Sequence, residues 1–117
     1  MSDSTTDWPL PWVRAAMGTA VLACLETADL HGYAIAERLG ERGFGRPKGG
    51  SLYPLLGALE AGGAIEASWV PGERGPGRRT YALTVTGRSQ LAAEREGWAR
   101  LVAALSPQPS REGVVAG

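Results

Sequence analysis

Residues 50–60 constrain the fold of this chain more than any other segment, because they combine a helix pattern with signals for both of its ends. Ser51 can cap the helix, and Pro54 falls within the first turn, where its missing N–H costs little. Gly62 and Gly63 follow at once and predict where the helix stops. The apolar stripe of this predicted helix consists of Leu52, Leu55, Leu56 and Leu59.

The chain after this helix has the pattern of a β-hairpin. Residues 64–70 alternate apolar and polar side chains, and residues 79–83 supply a partner strand. The linker at 71–78 is rich in Gly, Pro and Arg and too long for a tight turn, so we expect it to project as a flexible loop. Helix, strand, basic loop and strand follow one another in a winged helix, which places a helix in a DNA groove. The side chains predicted to face inward are Ile65, Ala67, Trp69, Tyr81 and Leu83.

Apolar residues at helical spacing predict three further helices, over residues 12–27, 32–42 and about 84–105. Thr84 or Thr86 can cap the last one. A three-helix core with a hairpin closes without this last helix, so we expect its apolar side to pack against a second subunit. The buried side of the 32–42 helix is predicted to be Tyr33, Ile35, Ala36 and Leu39. The predicted dimer-interface residues are Leu91, Trp98, Leu101, Val102 and Leu105.

The predicted fold class is mainly α with a small β-hairpin, a winged helix-turn-helix plus a C-terminal dimerisation helix. Residues 1–11 are predicted to form a flexible arm, because Pro9 and Pro11 block a regular helix there. The winged-helix DNA-binding domain is predicted to span 12–84 and the dimerisation helix 85–105. Residues 106–117 have the composition of a disordered tail.

Charge is distributed unevenly along the chain, although the net charge is zero. Residues 31–88 contain eight basic and five acidic side chains, whereas residues 1–30 contain one basic and four acidic side chains. Because Lys and Arg drive phosphate binding, this excess of positive charge favours the winged-helix segment as a DNA-binding unit.

Several functional classes are excluded by what the sequence lacks. No apolar run is long enough to span a membrane, and the polar start has no secretory pattern, so a cytoplasmic protein is expected. One cysteine, Cys24, cannot build a disulfide framework. The single histidine, His31, has no second His or Cys pair with which to bind zinc. No catalytic set or phosphate-binding loop is present, so we predict neither an enzyme nor a cofactor.

Four segments resemble the PadR family of transcriptional regulators in their order and spacing. They are His-Gly-Tyr-Ala-Ile at 31–35, Gly-Ser-Leu-Tyr-Pro-Leu-Leu at 50–56, Leu-Glu at 59–60 and Gly-Pro-Gly-Arg-Arg-Thr-Tyr-Ala-Leu-Thr at 75–84. The resemblance extends over about residues 12–105. The chain length resembles the short subfamily, which has a single C-terminal helix. The resemblance implies a homodimeric winged helix that represses genes and releases DNA when a small molecule binds.

The predicted DNA-binding residues surround the start of the predicted recognition helix and the wing. The helix N-terminus favours phosphate, although Ser51 and Tyr53 also fit the roles of a cap and a half-buried aromatic. Adjacent strand residues point to opposite faces, so only one of two neighbouring wing arginines is expected to meet a given phosphate. Gly57 stands where many relatives carry Lys or Arg, which predicts weaker DNA binding. The complete predicted set is Tyr33, Lys48, Ser51, Tyr53, Arg74, Arg78 and Arg79.

Trp98 is the predicted centre of a ligand site. In some members of the short subfamily a matching tryptophan and its dimer mate flank a central pore for flat aromatic compounds. Ala15 and Thr19 of the first helix are expected to line this pore with small groups, together with Val102. Val102 stands where an acidic residue would attract a cation, which predicts a preference for neutral or weakly charged aromatics. The alternative is that Trp98 only fills the dimer interface.

Two functions remain open from the sequence. The leading hypothesis is a ligand-responsive repressor that binds a palindromic operator as a homodimer, with half-sites about one helical turn apart. The alternative is a winged-helix module for protein–protein contact, which the neutral total charge and Gly57 permit. The dependence of duplex affinity on salt distinguishes the two.

Overall fold

The architecture is a helical bundle carrying a small antiparallel sheet, as seen in a computed structural model that describes residues 6–72, 75 and 77–109. The strand order is β1-β3-β2, with all pairs antiparallel. The predicted fold class is confirmed; only the two-residue β1 was missed, because it is too short to show a periodic pattern. None of the helices in the described residues is both long and apolar enough to cross a membrane. The elements are α1 (Leu10–Cys24), β1 (Leu30–His31), α2 (Gly32–Glu41), α3 (Gly49–Ala61), β2 (Ile65–Val70), β3 (Arg78–Leu83) and α4 (Val85–Leu105).

Helix α1 begins at Leu10, earlier than the sequence predicts, because Pro11 falls in its first turn. The segment just before it packs on the α2–α3 loop. The Asp7 N–H donates to the Gly43 carbonyl at 2.9 Å, and the Trp8 ring lies 5.4 Å from that of Phe44. Part of the predicted arm therefore contacts the domain.

The core lies where α1, α2, α3 and the sheet meet the first half of α4. Leu91 is only 2% exposed there, so its assignment to a dimer interface is wrong: it is the residue with which α4 anchors to its own domain. The largest fully buried side chains are Val21, Leu22, Leu25, Ile35, Leu39, Leu56, Ile65 and Leu91.

Two aromatic residues predicted to face inward are exposed. Tyr33 is 61% exposed because Gly32 takes the inward position of the first turn of α2, at helical spacing from Ile35. Trp69 is 65% exposed although it lies on the same face of β2 as the buried Ile65. Its side of the sheet extends beyond the helices that cover the base of the hairpin.

Helix α3 begins at Gly49, with Lys48 as its N-cap residue, so Ser51 lies in the first turn and does not cap the helix. The prediction of a Ser51 cap is therefore wrong. No side chain of a described residue makes a capping hydrogen bond to this helix. The Ser51 N–H donates to the Lys48 carbonyl at 2.9 Å, and the N–H groups of Gly49 and Gly50 before it remain available to an external acceptor.

The start of α4 is held against the turn between α3 and β2. The predicted Thr84 cap is confirmed: its hydroxyl accepts from the Gly87 N–H at 2.9 Å and donates to the Gly63 carbonyl at 2.6 Å. The Thr84 N–H also donates to the Ala64 carbonyl at 3.1 Å. Gly87 packs so closely that a β-carbon there would collide with the Ala64 carbonyl and lie 2.7 Å from Leu83 Cδ1.

We predict that Gly87→Ala lowers the free energy of unfolding by about 1–3 kcal/mol, because backbone must move to admit the methyl group. The matched control is Gly57→Ala, also within a helix, where nothing lies within 4 Å of the added carbon. That variant should be more stable by up to about 1 kcal/mol, through helix propensity. Urea unfolding of both proteins measures the difference. Equal effects in the two variants would contradict the close packing at Gly87.

An ion pair joins the end of α1 to α4. The Arg95 guanidinium donates to both oxygens of Glu26, at 2.9 and 3.0 Å. These hydrogen bonds are the main reason that the pKa of Glu26 is lowered and that the pKa of Arg95 is raised. The lowered pKa means that the pair stabilises the fold at neutral pH, and that this stabilisation is lost as the pH falls through the pKa of folded Glu26.

We therefore predict that Glu26→Gln is less stable than the parent at neutral pH, and that the difference disappears in acid. Thermal unfolding across the acidic range measures this convergence. Glu66→Gln, in an exposed strand position, is the control and should change the curve little. A stability difference that persisted at the lowest pH would show that the pair's charge is not responsible.

Candidate functional sites

One surface gathers aromatic and basic side chains from three elements. They border a depression of about 480 Å³ between the start of α2, the start of α3 and β3. Four of the seven predicted DNA-binding residues are among them. The residues that line it are His31, Gly32, Tyr33, Tyr53, Arg78, Arg79 and Tyr81.

Tyr53 occupies the junction of two helix starts and is 51% exposed. Its ring covers Gly32 so closely that a β-carbon on Gly32 would collide with the tyrosine hydroxyl. A β-carbon on Gly49 would lie 3.3 Å from the other edge of the ring. The glycine of the His-Gly-Tyr segment is therefore required by the approach of Tyr53, which is held in one place at the domain surface.

The start of α2 is capped by His31, whose Nδ1 accepts from the Ala34 N–H at 3.3 Å. This accounts for the lone histidine without a metal, and the described residues contain no group of three or more metal-ligating side chains. The exposed Tyr33 ring stands 4.8 Å from the Arg46 guanidinium, which also pairs with Glu37 at 3.3 Å. Tyr33 is thus an accessible aromatic flanked by positive charge.

The two described wing arginines differ in their surroundings. Arg79 lies opposite Trp69 in the hairpin register and donates to both oxygens of Glu60 on α3, at 3.1 and 3.2 Å. Arg78 lies opposite Val70, on the other face of the sheet, and is exposed without an ion pair to any described residue. Arg79 therefore ties the wing to α3, whereas Arg78 is available to an outside anion. Arg74 lies outside the described residues.

The remaining predicted DNA contacts lie at the exposed start of α3. Lys48 and Ser51 are both exposed, beside the uncapped N–H groups of the helix. Gly57 lies two turns further along and is also exposed, so the outward surface of α3 carries no side chain there. The side chains around this helix start thus provide one lysine, one hydroxyl and one phenol within about one and a half turns.

A second site lies between α1 and α4 and brings together Ala15, Thr19 and Trp98 in a depression of about 420 Å³. The indole Nε1–H of Trp98 donates to Thr19 Oγ1 at 3.0 Å, and the Thr19 hydroxyl donates to a carboxylate oxygen of Glu94 at 2.6 Å. Gln90 donates to the other oxygen of Glu94 at 2.8 Å. Sequence reasoning missed Glu94, although it stands one helical turn before Trp98.

The other edge of Trp98 borders an apolar cavity of about 540 Å³, where Val102 is found. Trp8 and Phe44 also line this cavity, and the sequence analysis predicted neither of them to be near a site. Several of its lining side chains are exposed on the described chain: Trp12, Leu101, Val102 and Leu105, at 64%, 47%, 60% and 78%. The four residues predicted for the ligand site are thus close together, but they border two adjacent spaces.

Comparison with known proteins agrees with this geometry. The chain matches the transcriptional regulator PadR-like family over residues 21–93. Among curated proteins, no match is found.

Solved structures of similar fold include several regulators. A PadR family transcriptional regulator from Eggerthella lenta has a TM-score of 0.75 and 27% identity, with 82% of this chain and 83% of that chain covered. A PadR-like transcriptional regulator from Bacillus cereus has a TM-score of 0.73 and 24% sequence identity, with 81% of this chain and 92% of that chain covered. A transcriptional regulator from Clostridium thermocellum has a TM-score of 0.71 and 25% sequence identity, with 81% of this chain and 94% of that chain covered. The chain belongs to the PadR-like family of transcriptional regulators, which are DNA-binding proteins and not enzymes.

Proposed function

We propose that this protein is a cytoplasmic repressor that binds a palindromic operator as a homodimer and leaves it when a small aromatic compound binds. The observation that carries the proposal is that Tyr53 and Arg78 border one depression, next to the start of α3, where Lys48 is an exposed N-cap residue and no side chain of a described residue caps the helix. This arrangement offers phosphate both positive charge and free backbone donors.

The DNA-binding surface is proposed to consist of the α3 start and the wing. Tyr53 is held by Gly32 and Gly49, so little side-chain entropy is lost when it contacts a phosphate or a base edge. The ion pair of Arg79 with Glu60 sets the angle of the wing, and Arg78 supplies its free charge. Because Gly57 has no side chain, α3 offers fewer contacts within the DNA groove.

The dimer is proposed to form through the apolar face shared by α1 and the second half of α4. Leu101, Val102 and Leu105 are exposed beside Trp12, which is more clustered apolar surface than one soluble chain normally leaves in water. Burial of this face in a two-fold dimer would place two α3 helices on one side of the assembly. The operator is then a palindrome with half-sites about one helical turn apart.

The effector is proposed to bind beside Trp98, where the DNA-binding domain and the dimerisation face meet. A compound that enters there contacts α1 and α4 together, so it can change the angle between the two subunits. The affinity of the dimer for DNA then depends on whether the spacing of the two α3 helices matches the groove.

A protein–protein module is the second candidate, and the neutral total charge and Gly57 are the observations that favour it. The two functions differ in salt dependence, because only phosphate contacts release counterions.

We predict that Tyr53→Ala abolishes retardation of an operator duplex, because it removes the aromatic held at the helix start. Arg78→Ala combined with Arg79→Ala should lower affinity and reduce the slope of log affinity against log salt by about one, because Arg78 carries the free charge of the wing whereas Arg79 is paired with Glu60. The duplexes come from selection of genomic fragments upstream of this gene and its neighbour.

Arg100→Ala is the matched control, since it removes one exposed positive charge from α4 rather than from the wing. It should leave both affinity and slope unchanged. Retardation by Tyr53→Ala equal to that of the parent would refute the DNA-binding surface, and parent protein without duplex affinity at low salt would favour the protein–protein module.

We predict that Leu101→Lys combined with Leu105→Lys converts the protein to a monomer, because two charges in the centre of an apolar interface cannot be desolvated. Sedimentation equilibrium measures the mass. Ala99→Lys adds charge on another face of α4 and should remain dimeric. A parent protein that sediments as a monomer, or a double variant that stays dimeric, would contradict the assigned face.

A further inference from the structure

We propose that residues 6–9, which we call the N-terminal strap, hold the α2–α3 loop (residues 42–48) and thereby position the start of α3. Trp8 is the positioning residue of the strap. The inference rests on the proposed function, because the start of α3 belongs to the surface proposed to bind DNA. It adds to that surface a segment that contains none of the predicted DNA contacts and that the sequence assigns to a flexible arm.

The strap contacts the loop through one backbone hydrogen bond and one pair of rings. The Asp7 N–H donates to the Gly43 carbonyl at 2.9 Å. The rings of Trp8 and Phe44 lie 5.4 Å apart at an interplanar angle of 59°, a tilted arrangement that aromatic pairs favour. The Thr6 hydroxyl donates to the Trp8 carbonyl at 2.6 Å, so the strap is also tied to itself. The hydrogen bond and the ring pair together fix the strap in one register on the loop.

Gly43 has the backbone and the space that the strap requires. Its φ of +90° lies in the region that favours glycine. A β-carbon at this position would lie 2.5 Å from Asp7 Oδ2 and 3.1 Å from Trp8 Cη2. Backbone conformation and close approach therefore each select glycine, and the close approach exists only because the strap lies there.

The loop connects the strap to α3 over a short distance. The Phe44 N–H donates to the Leu39 carbonyl at 3.0 Å, which joins the contacted part of the loop to the end of α2. Four residues separate Phe44 from the first residue of α3, and one of them, Pro47, has a fixed φ. The Lys48 carbonyl then accepts from the Ser51 N–H at 2.9 Å, in the first turn of the helix. A displacement at Phe44 is therefore passed on to Lys48 and to the start of α3.

Trp8 contributes little to the main core. Its side chain is 41% exposed, and the buried cluster of the domain does not include it. Phe44, in contrast, packs against that cluster. In a single chain, the main effect of Trp8 is thus its contact with the loop. Loss of this contact should release the loop without unfolding the domain, and one aromatic pair shifts such an equilibrium by about three- to tenfold.

Amide hydrogen exchange, measured by NMR in the absence of DNA, tests the strap directly. In Trp8→Ala the N–H groups of Phe44 and Ser51 should exchange about three- to tenfold faster than in the parent, because the loop opens more often. The N–H groups of Ile35 and Leu56, whose side chains are fully buried, should keep the parent rates. Trp8→Phe retains a ring and should restore the parent rates at Phe44 and Ser51.

Gly43→Ala tests the same contact from the side of the loop. It displaces the strap, so exchange at Phe44 should rise at least as much as in Trp8→Ala. Trp8→Ala added to Gly43→Ala should change this rate little further, because both substitutions act through one contact.

The matched control is Gly63→Ala. Gly63 also has a positive φ, of +82°, and nothing lies within 4 Å of a β-carbon added there. The control therefore carries similar backbone strain without touching the strap. Exchange at Phe44 and Ser51, relative to that at Leu56, should equal the ratio found in the parent.

Operator affinity, measured by retardation at a temperature at which all variants are folded, gives the consequence for DNA binding. Trp8→Ala should bind about three- to tenfold more weakly, because a smaller fraction of molecules presents α3 in the competent position. Trp8→Phe should stay within about twofold of the parent. The slope of log affinity against log salt should not change, since no charge is removed.

Four results would overturn the inference. The first two are unchanged exchange at Phe44 and Ser51 in Trp8→Ala, and exchange that rises equally throughout the domain. The third is faster exchange at the loop with the operator affinity of the parent. The fourth is sedimentation of Trp8→Ala as a monomer where the parent is a dimer, which would assign Trp8 to the subunit interface. A parent protein that does not bind DNA would refute the proposed function, whereas the exchange rates would still decide whether the strap holds the loop.

Discussion

The structure depends most on the contact between Thr84, Gly87 and the turn at Gly63 and Ala64. At this point α3 has just ended, the hairpin returns and α4 begins, and all three are held by the hydrogen bonds of the Thr84 hydroxyl and by one backbone hydrogen bond. The absence of a β-carbon at Gly87 allows the approach. Because Leu91 then anchors the next turn of α4 in the core, the direction of the whole helix is fixed relative to the start of α3 and the wing, the proposed DNA-binding surface.

The same principle, close approach followed by a directional polar contact, organises the surface that we propose for DNA binding. The Tyr53 ring lies against Gly32, and a residue with a β-carbon would not fit in place of that glycine. The Glu60–Arg79 pair connects α3 to the wing. These contacts are local to the surface and do not involve the main core. The surface is therefore ordered in the unbound protein, so that binding loses little free energy to the ordering of its side chains.

The sequence predicts the elements well and the environment of individual side chains less well. Periodicity identified α3, both hairpin strands and the Thr84 cap, because each depends on residues near one another in the chain. Leu91, Tyr33 and Trp69 were misjudged, since an apolar residue at the right spacing is buried only where another element covers it.

Glu94 was missed for a related reason. Its place beside Trp98 depends on a hydrogen bond from Thr19, which is 75 residues away along the chain, and no local pattern indicates such a contact. The start of α3 was misplaced because the two glycines before Ser51 adopt helical geometry despite their low propensity.

The length of α4 has a mechanical consequence. Its 21 residues span about 31 Å from the pivot at Thr84 to Leu105. A tilt of about 3° about that pivot moves the far end by about 1.6 Å over this length. Trp98 lies roughly two thirds of the way along, so a displacement there is magnified by about half again at the end of the helix. The helix thus acts as a lever that enlarges a displacement of about 1.1 Å at Trp98 to about 1.6 Å at Leu105, a shift of the size at which helices repack at the kind of subunit interface proposed above.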